Sequence, residues 1–209
     1  MQDFEKNGLV IVGVLGGIAS GKSAVARLLA GASGVVLDAD ALAHEALADP
    51  ELAARVDAEL GGDLLDERGR VDRAALARRA FSEPRARRRL EDWIHPLVRE
   101  KILAGLTEAR DRGRGPAVLD VPLLLEKERE HHLAGLCDFL VFVAADAARR
   151  DQRAVERRGW EPGEVARREN TQMPLEEKRT RARHVITNDR GLEELGESVR
   201  EVLAAEGLA

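Results

Sequence analysis

Aromatic residues are scarce in this chain: they make up 3% of the residues and include no Tyr, so few rings are present to stack on bases and the core must use aliphatic side chains. The single cysteine, Cys137, excludes an intramolecular disulfide framework and fits a reducing compartment. No apolar run approaches the roughly 18 residues of a membrane span, and the polar start MQDFEKN is not typical of a secretory signal. We therefore expect a cytoplasmic protein.

An excess of positive charge is also missing. With 33 Lys and Arg against 38 Asp and Glu the net charge is −5, which argues against nucleic acid as the main partner and leaves phosphate binding to local basic patches. The 209 residues, 44% of them hydrophobic and 34% charged, are typical of one globular α/β domain with a smaller insert. We expect no nucleic-acid or membrane partner, and a monomer or small homo-oligomer.

Five short apolar runs predict strands, at residues 9–15, 34–40, 117–125, 139–144 and 184–188. Continuous apolar runs are typical of parallel strands that helices cover on both faces. Helical periodicity fills the intervals between them, so the sequence predicts an α/β fold with a parallel sheet in a three-layer αβα arrangement.

Two long intervals carry no strand signal. Residues 49–115 are rich in Ala, Leu, Arg and Glu at helical spacing, which predicts a helical insert. Residues 146–183 predict a second helical stretch, which holds eleven Lys and Arg against eight Asp and Glu around the turn GWEPGE. Residues 8–48, 116–145 and 184–209 are then expected to form the core.

A glycine-rich motif follows the first predicted strand. Gly16, Gly21, Lys22 and Ser23 match G-x-x-x-x-G-K-[ST], and a helical pattern comes directly after. Such a loop aims backbone N–H groups at a phosphate chain, while the lysine reaches the β- and γ-phosphates and the serine hydroxyl can ligate Mg²⁺. We call residues 16–23 the phosphate loop and expect a nucleoside triphosphate to contact Gly17, Ile18, Ala19, Ser20, Gly21, Lys22 and Ser23.

The phosphate loop alone does not reveal where the terminal phosphoryl group goes. No N-K-x-D base reader is present and no D-x-x-G motif ends a strand, which argues against a GTPase. The second predicted strand ends in Asp38 and Asp40, at the same sheet edge as the loop. At that place Asp40 can accept the proton of an acceptor hydroxyl, hold a water on Mg²⁺, or cap the next helix, and the residues alone leave these roles open.

Six motifs occur in an order and spacing that resemble those of dephospho-coenzyme A kinases, over roughly residues 10–195: GGIASGKS, DAD, HPLVR, DVPLLLE, TQMPLEEK and VITN. The resemblance implies a P-loop NTPase-like core, a helical coenzyme A-binding insert at residues 49–115 and a helical lid at residues 146–183. It also implies Mg²⁺ and ATP as cofactors, with transfer of the γ-phosphoryl group to the ribose 3′-hydroxyl of dephospho-coenzyme A.

The same resemblance implies residue roles. Asp40 would be the general base beside Lys22, and Arg153, followed by Arg157, would neutralise transition-state charge. Asn188 would contact the nucleotide. Contacts to the acceptor substrate would come from His95, Arg99, Pro122 and Leu123.

Other interpretations of these residues stay open. Taken alone, the arginines at 149, 153 and 157 could form a solvated helix face, and His95 before Pro96 predicts a helix end. Glu126 matches the family motif without a chemical role that we can derive, and Arg183 stands where the family usually has Asp. Two rival functions remain at this point: a kinase of nucleosides or nucleoside monophosphates, and a slowly hydrolysing assembly factor.

Overall fold

The computed structural model describes residues 4–113 and 115–208; residue 209, at the end of the predicted core, lies outside the described residues. Its five strands form one parallel sheet in the order β2-β3-β1-β4-β5, which confirms the predicted fold class. In this register Asp38 lies opposite Asp120. The strands are β1 (Ile11–Gly16), β2 (Val35–Asp38), β3 (Ala117–Asp120), β4 (Phe139–Ala144) and β5 (His184–Thr187).

Helices fill the intervals between the strands. Three of them begin at an aspartate, Asp49, Asp72 or Asp146, whose carboxylate accepts N–H groups of the first turn. No helix in the described part of the chain has the length and apolar character to cross a bilayer. The helices are α1 (Lys22–Ala30), α2 (Ala39–Ala46), α3 (Pro50–Leu60), α4 (Arg73–Ser82), α5 (Pro84–Arg112), α6 (Glu128–His131), α7 (Ala147–Arg158), α8 (Glu164–Glu169), α9 (Leu175–Arg181) and α10 (Leu192–Ala205).

Aliphatic side chains hold the sheet to its helices. Helix α1 packs against β1, β2, β3 and α10, α10 packs against β5, and α9 packs against β1 and β4. Alternate β1 residues, Val12 and Val14, are buried against Val25 and Leu29 of α1 and Val199 of α10. Because each such side chain contributes about 1.5–3 kcal/mol on burial, this cluster fixes the end of β1, where the phosphate loop begins.

The chain divides into two compact units, Met1–Asp38 with Gly105–Ala209, and Ala39–Ala104. The first contains all five strands and the lid segment. The second is helical and has a core of its own around Leu52, Val56, Leu64 and Leu76. These bounds put α2 in the helical unit, whereas the sequence pattern begins the insert at residue 49. The assignment of the parts to nucleotide, acceptor and lid roles stays a prediction.

The predicted second strand is too long. Strand β2 ends at Asp38, and Ala39 and Asp40 already belong to α2. The segment ADALAHEA is rich in Ala, the strongest helix former, and an acidic residue in the first turn favours the helix macrodipole. Asp40 is therefore an exposed first-turn residue of a helix and neither a strand residue nor an N-cap.

The helix end predicted at His95 and Pro96 is wrong. Helix α5 runs through Pro96, its one internal proline, to Arg112. A proline inside a helix costs about 3 kcal/mol, because it removes one N–H hydrogen bond and its ring clashes with the carbonyl group four residues earlier. Burial every four residues outweighs that cost, since Ile94, Val98, Ile102 and Leu106 are all buried.

The third strand is also shorter than its apolar run. Strand β3 ends at Asp120 rather than at Leu125. Pro122 lacks the N–H group of a strand residue, and Leu123 has a φ of +57°, in the left-handed region. The loop after β3 therefore turns away from the sheet at Pro122.

Candidate active site

The phosphate loop connects β1 to α1 through left-handed backbone. Gly16, Ala19 and Gly21 have φ angles of +149°, +58° and +96°. Glycine adopts such angles at little cost, whereas for Ala19 the left-handed region costs about 1–2 kcal/mol. The loop accepts this strain at Ala19, so the loop conformation is imposed by its surroundings.

Four backbone donors of the loop have no acceptor. Within residues 4–113 and 115–208, no group accepts a hydrogen bond from the N–H of Ala19, Gly21, Lys22 or Ser23. These donors stand at the N-terminus of α1, where the helix macrodipole favours an anion. The arrangement is typical of sites that bind phosphate oxygens.

Lys22 spans this loop. Its ammonium group donates hydrogen bonds to the carbonyl oxygens of Gly16 and Gly17, at 3.2 and 2.8 Å. Burial of the ammonium group lowers the pKa of Lys22 from 10.5 to about 8, against the opposing effect of the Asp120 carboxylate. Negative charge from a bound polyphosphate favours the ammonium form and opposes this lowering.

Two carboxylates end the neighbouring strands at the same edge of the sheet. Asp120 is buried, with 6% of its surface exposed, and its charge acts on Lys22. Asp38 is half-buried at the end of β2, opposite Asp120 in the register. The edge that carries the phosphate loop thus also carries oxygen donors of the kind that Mg²⁺ prefers.

Asn188 and Arg153 brace the second half of the loop. Asn188 follows β5, is buried, and donates from Nδ2 to the Ser20 carbonyl oxygen at 2.7 Å. Arg153 on α7 donates to the carbonyl oxygens of Asn188 at 2.8 Å and Ser20 at 3.4 Å. A Cβ atom on Gly21 would lie 2.2 Å from Asn188 Nδ2, so this close approach requires glycine as well as the positive φ angle. Both predicted residues thus lie at the loop.

The remaining predicted residues are distributed over both units. Pro122 is exposed and Leu123 half-buried in the loop after β3, and Arg157 is exposed near the end of α7. In the helical unit, Asp40 lies on α2, and His95 and Arg99 lie four residues apart on α5 and so share a face. Their contacts with substrate stay predictions.

The sequence analysis did not identify Arg150, an arginine of the lid segment that lies at the phosphate loop. Arg150 is buried on α7, with 6% of its surface exposed, and its Nη1 lies 2.5 Å from the Glu169 carboxylate. Glu169 also accepts the Ile18 N–H at 2.7 Å. One signal was available, because Ala154, four residues after Arg150, marks the buried face of this helix. Choosing arginines by their spacing from Arg149 selected the neighbouring face.

Glu126 has a structural partner that the sequence did not indicate. Its carboxylate lies 2.7 Å from the Lys178 ammonium group, and Lys178 is 4% exposed. The Met173 N–H and the Gln172 side-chain oxygen complete the cluster, at 3.3 Å from Glu126 and 3.4 Å from Lys178. This buried ion pair joins the loop after β3 to helix α9 of the lid segment.

Known dephospho-CoA kinases are similar to this chain over most of its length. The family model described as CoaE, dephospho-CoA kinase, matches residues 10–194. The dephospho-CoA kinase of Thermus thermophilus is 41% identical over 199 residues, covering 93% of this chain and 91% of its own. That of Corynebacterium diphtheriae is 38% identical, covering 92% of this chain and 94% of its own.

Solved structures support the fold. A crystal structure from Thermus thermophilus has 40% identity and a TM-score of 0.71, covering 94% of this chain and 97% of its own. The dephospho-CoA kinase from Campylobacter jejuni has a TM-score of 0.66 and covers 93% of this chain and 96% of its own; at 21% identity it supports the fold. The matches overturn the two rival functions. The chain belongs to the dephospho-CoA kinase family of ATP-dependent kinases.

Proposed function

We propose that Lys22, Asp40 and Arg153 divide the chemistry by which this kinase transfers the γ-phosphoryl group of ATP to the ribose 3′-hydroxyl of dephospho-coenzyme A. Phosphoryl transfer needs little covalent work from the protein, so positioning and charge stabilisation carry most of the catalysis. Lys22 and Arg153 supply charge stabilisation in this proposal, and Asp40 accepts the proton of the acceptor hydroxyl.

The phosphate loop binds the triphosphate in this proposal. The observation that carries it is the set of four unpartnered N–H groups at the start of α1, next to the Lys22 ammonium group. Lys22 lies on the β- and γ-phosphates and draws charge from the γ-phosphoryl group as its bond to ADP breaks.

Asp40 accepts the proton of the acceptor hydroxyl. It follows by two residues the end of β2, whose carboxyl end belongs to the same sheet edge as the phosphate loop. Asp40 stands in the first turn of α2, where the helix N-terminus favours a negative charge. His95, Arg99, Pro122 and Leu123 contact the acceptor substrate, with the Arg99 guanidinium suited to its pyrophosphate.

Arg153 stabilises the transition state from the lid segment. Its guanidinium group lies at the Ser20 carbonyl oxygen, within the phosphate loop. An arginine supplied within the same chain neutralises the charge spread over the equatorial oxygens of the transferring group. Arg157, more exposed, contributes less, and Asn188 supports the nucleotide side of the loop.

Mg²⁺ fits the donors that this edge offers. The Ser23 hydroxyl, in the first turn of α1, would hold the ion, with Asp120 and Asp38 acting through water. Within the described residues no group of three or more His, Cys, Asp or Glu side chains could hold a metal. When bound, Mg²⁺ neutralises phosphate charge.

The proposal extends to the setting of the enzyme. A cytoplasmic location suits the single half-buried cysteine, whose thiol has a pKa raised to about 12 by burial and is therefore unreactive. A monomer or small homo-oligomer suits a site built from one chain. Sedimentation of the purified protein at micromolar concentration measures the oligomeric state.

The Asp40→Asn variant tests the general base. Loss of the carboxylate should lower kcat by roughly 10²- to 10⁴-fold and leave the ATP dissociation constant within about twofold. Glu45→Gln on the same helix is the matched control, since it removes an exposed ion pair to Lys101 worth under about 1 kcal/mol. Near-normal turnover of Asp40→Asn would refute the assignment.

A further inference from the structure

A carboxylate of the lid segment is bonded to the phosphate loop itself. Glu169, the last residue of α8, accepts the Ile18 N–H at 2.7 Å through the same oxygen that lies 2.5 Å from Arg150 Nη1. Its side chain is 14% exposed and that of Arg150 is 8% exposed. The bond joins residues that are 151 positions apart in the chain.

Arg150 is held in place by further contacts. Its Nε donates to the Ala145 carbonyl oxygen at 3.2 Å, beyond the end of β4, and its Nη1 approaches the Ile18 carbonyl oxygen at 3.5 Å. The guanidinium group therefore contacts the backbone just beyond β4, the phosphate loop and the Glu169 carboxylate. The Glu169 carboxylate thus accepts from a guanidinium and from the Ile18 N–H, and hydrogen bonds that involve charged groups are stronger than neutral ones.

The ion pair between Arg150 and Glu169 explains why residue 17 is a glycine. A Cβ atom at Gly17 would lie 2.6 Å from both Arg150 Nη1 and Glu169 Oε1. Since the φ angle of Gly17 is not in the left-handed region, close approach of the ion pair, and not backbone conformation, accounts for glycine here. The ion pair therefore packs directly against the backbone of the phosphate loop at Gly17.

We propose that Arg150 and Glu169 are positioning residues that fix the first half of the phosphate loop, at Gly17 and Ile18, and tie it to α8. The Ile18 N–H donates its hydrogen bond to Glu169, while the N–H groups of Ala19, Gly21, Lys22 and Ser23 stay available for phosphate. The inference rests on the proposed function only in that the loop binds ATP. It assigns to the lid segment a role in shaping the loop before nucleotide arrives.

Two double variants isolate the Ile18 bond. Arg150→Met with Glu169→Gln and Arg150→Met with Glu169→Leu both remove the ion pair and leave no uncompensated charge. They differ in whether an oxygen remains for the Ile18 N–H. We expect the Leu variant to bind ATP about tenfold more weakly than the Gln variant by calorimetric titration, because one hydrogen bond to the loop is lost. We also expect faster Ile18 amide exchange in the Leu variant.

Equal ATP affinity of the two variants, at matched thermal stability, would overturn the proposal. If either variant fails to fold, the wild-type chain carries the test: without nucleotide, the Ile18 amide should exchange far more slowly than the Ala19 amide. Exchange at the same rate would overturn the inference. Neither measurement uses an acceptor, so the outcome is independent of whether dephospho-coenzyme A is the substrate.

Discussion

The phosphate loop and the lid segment reach the same site in opposite ways. The loop, residues 16–23, works through backbone atoms whose directions are set by left-handed residues and by the start of α1. The lid segment, residues 146–183, works through side chains: Arg153, Arg150 and Glu169 reach loop atoms more than 130 positions away. The residues of the loop can therefore be recognised from their local spacing in the sequence, whereas tertiary packing determines which side chains of the lid segment contact the loop.

The difference also appears in burial and charge. Lys22 in the loop is a desolvated cation with a pKa lowered to about 8, held by carbonyl groups of its own loop. The buried lid charges are paired across elements, Arg150 with Glu169 and Lys178 with Glu126. Removing one member of such a buried pair costs about 3–5 kcal/mol, so the lid tolerates replacement of a pair better than of one partner.

The largest effect is expected from Gly21→Ala, which attacks the loop through its backbone. An added Cβ atom would meet Asn188 Nδ2 at 2.2 Å and would require a φ of +96°. We expect kcat/KM for ATP to fall by roughly 1000-fold, because clash and strain together displace the N–H groups that bind phosphate. Steady-state kinetics with varied ATP measure this effect.

Gly62→Ala is the matched control for that variant. Gly62 also has a positive φ angle, +74°, but nothing lies within 4 Å of its added Cβ atom. It should cost roughly 1 kcal/mol of folding free energy and leave kcat/KM within about twofold. Equal losses of activity in the two variants would show that strain at a positive φ angle, through loss of folding stability, causes the effect, and would contradict a specific role for the approach of Asn188 to the loop.

Arg153→Ala and Arg157→Ala separate the two lid arginines. Arg153 donates to two carbonyl oxygens at the loop, while Arg157 is exposed. We expect kcat to fall about 100-fold for Arg153→Ala and less than about threefold for Arg157→Ala. Measurement of kcat at saturating ATP and acceptor decides between them, and a larger loss at Arg157 would reverse the assignment.

A smaller effect is expected from pH. Lys22 of the free enzyme loses its proton as pH rises through about 8, and phosphate binding must then restore it. The ATP association constant should fall by up to about tenfold per pH unit above 8, since binding is linked to proton uptake. Calorimetric titration between pH 7 and 9.5 measures the slope. Lys22→Arg keeps its charge over this range, so a similar fall in that variant would exclude Lys22 as the cause.

Some features of the fold and of the site could be predicted from the sequence, and others could not. The parallel sheet and the loop were predictable, because buried strands give apolar runs and the motif from Gly16 to Ser23 is local. The end of β2 was not predicted, because the apolar run continues into α2, where Ala-rich helix propensity takes over. The passage of α5 through Pro96 was not predicted, because buried packing outweighs the local effect of the proline. Arg150 was missed, since its burial depends on elements distant in the chain.

The central claim is that ATP held by the phosphate loop passes its γ-phosphoryl group to one acceptor, dephospho-coenzyme A. The most direct measurement incubates the enzyme with ATP and each of dephospho-coenzyme A, adenosine and AMP, and follows ADP release and the mass of the acceptor. The account predicts one phosphoryl group added to dephospho-coenzyme A alone, with ADP release that depends on it and is lost in Lys22→Ala. ADP release at the same rate without acceptor, or preferential phosphorylation of adenosine or AMP, would contradict it.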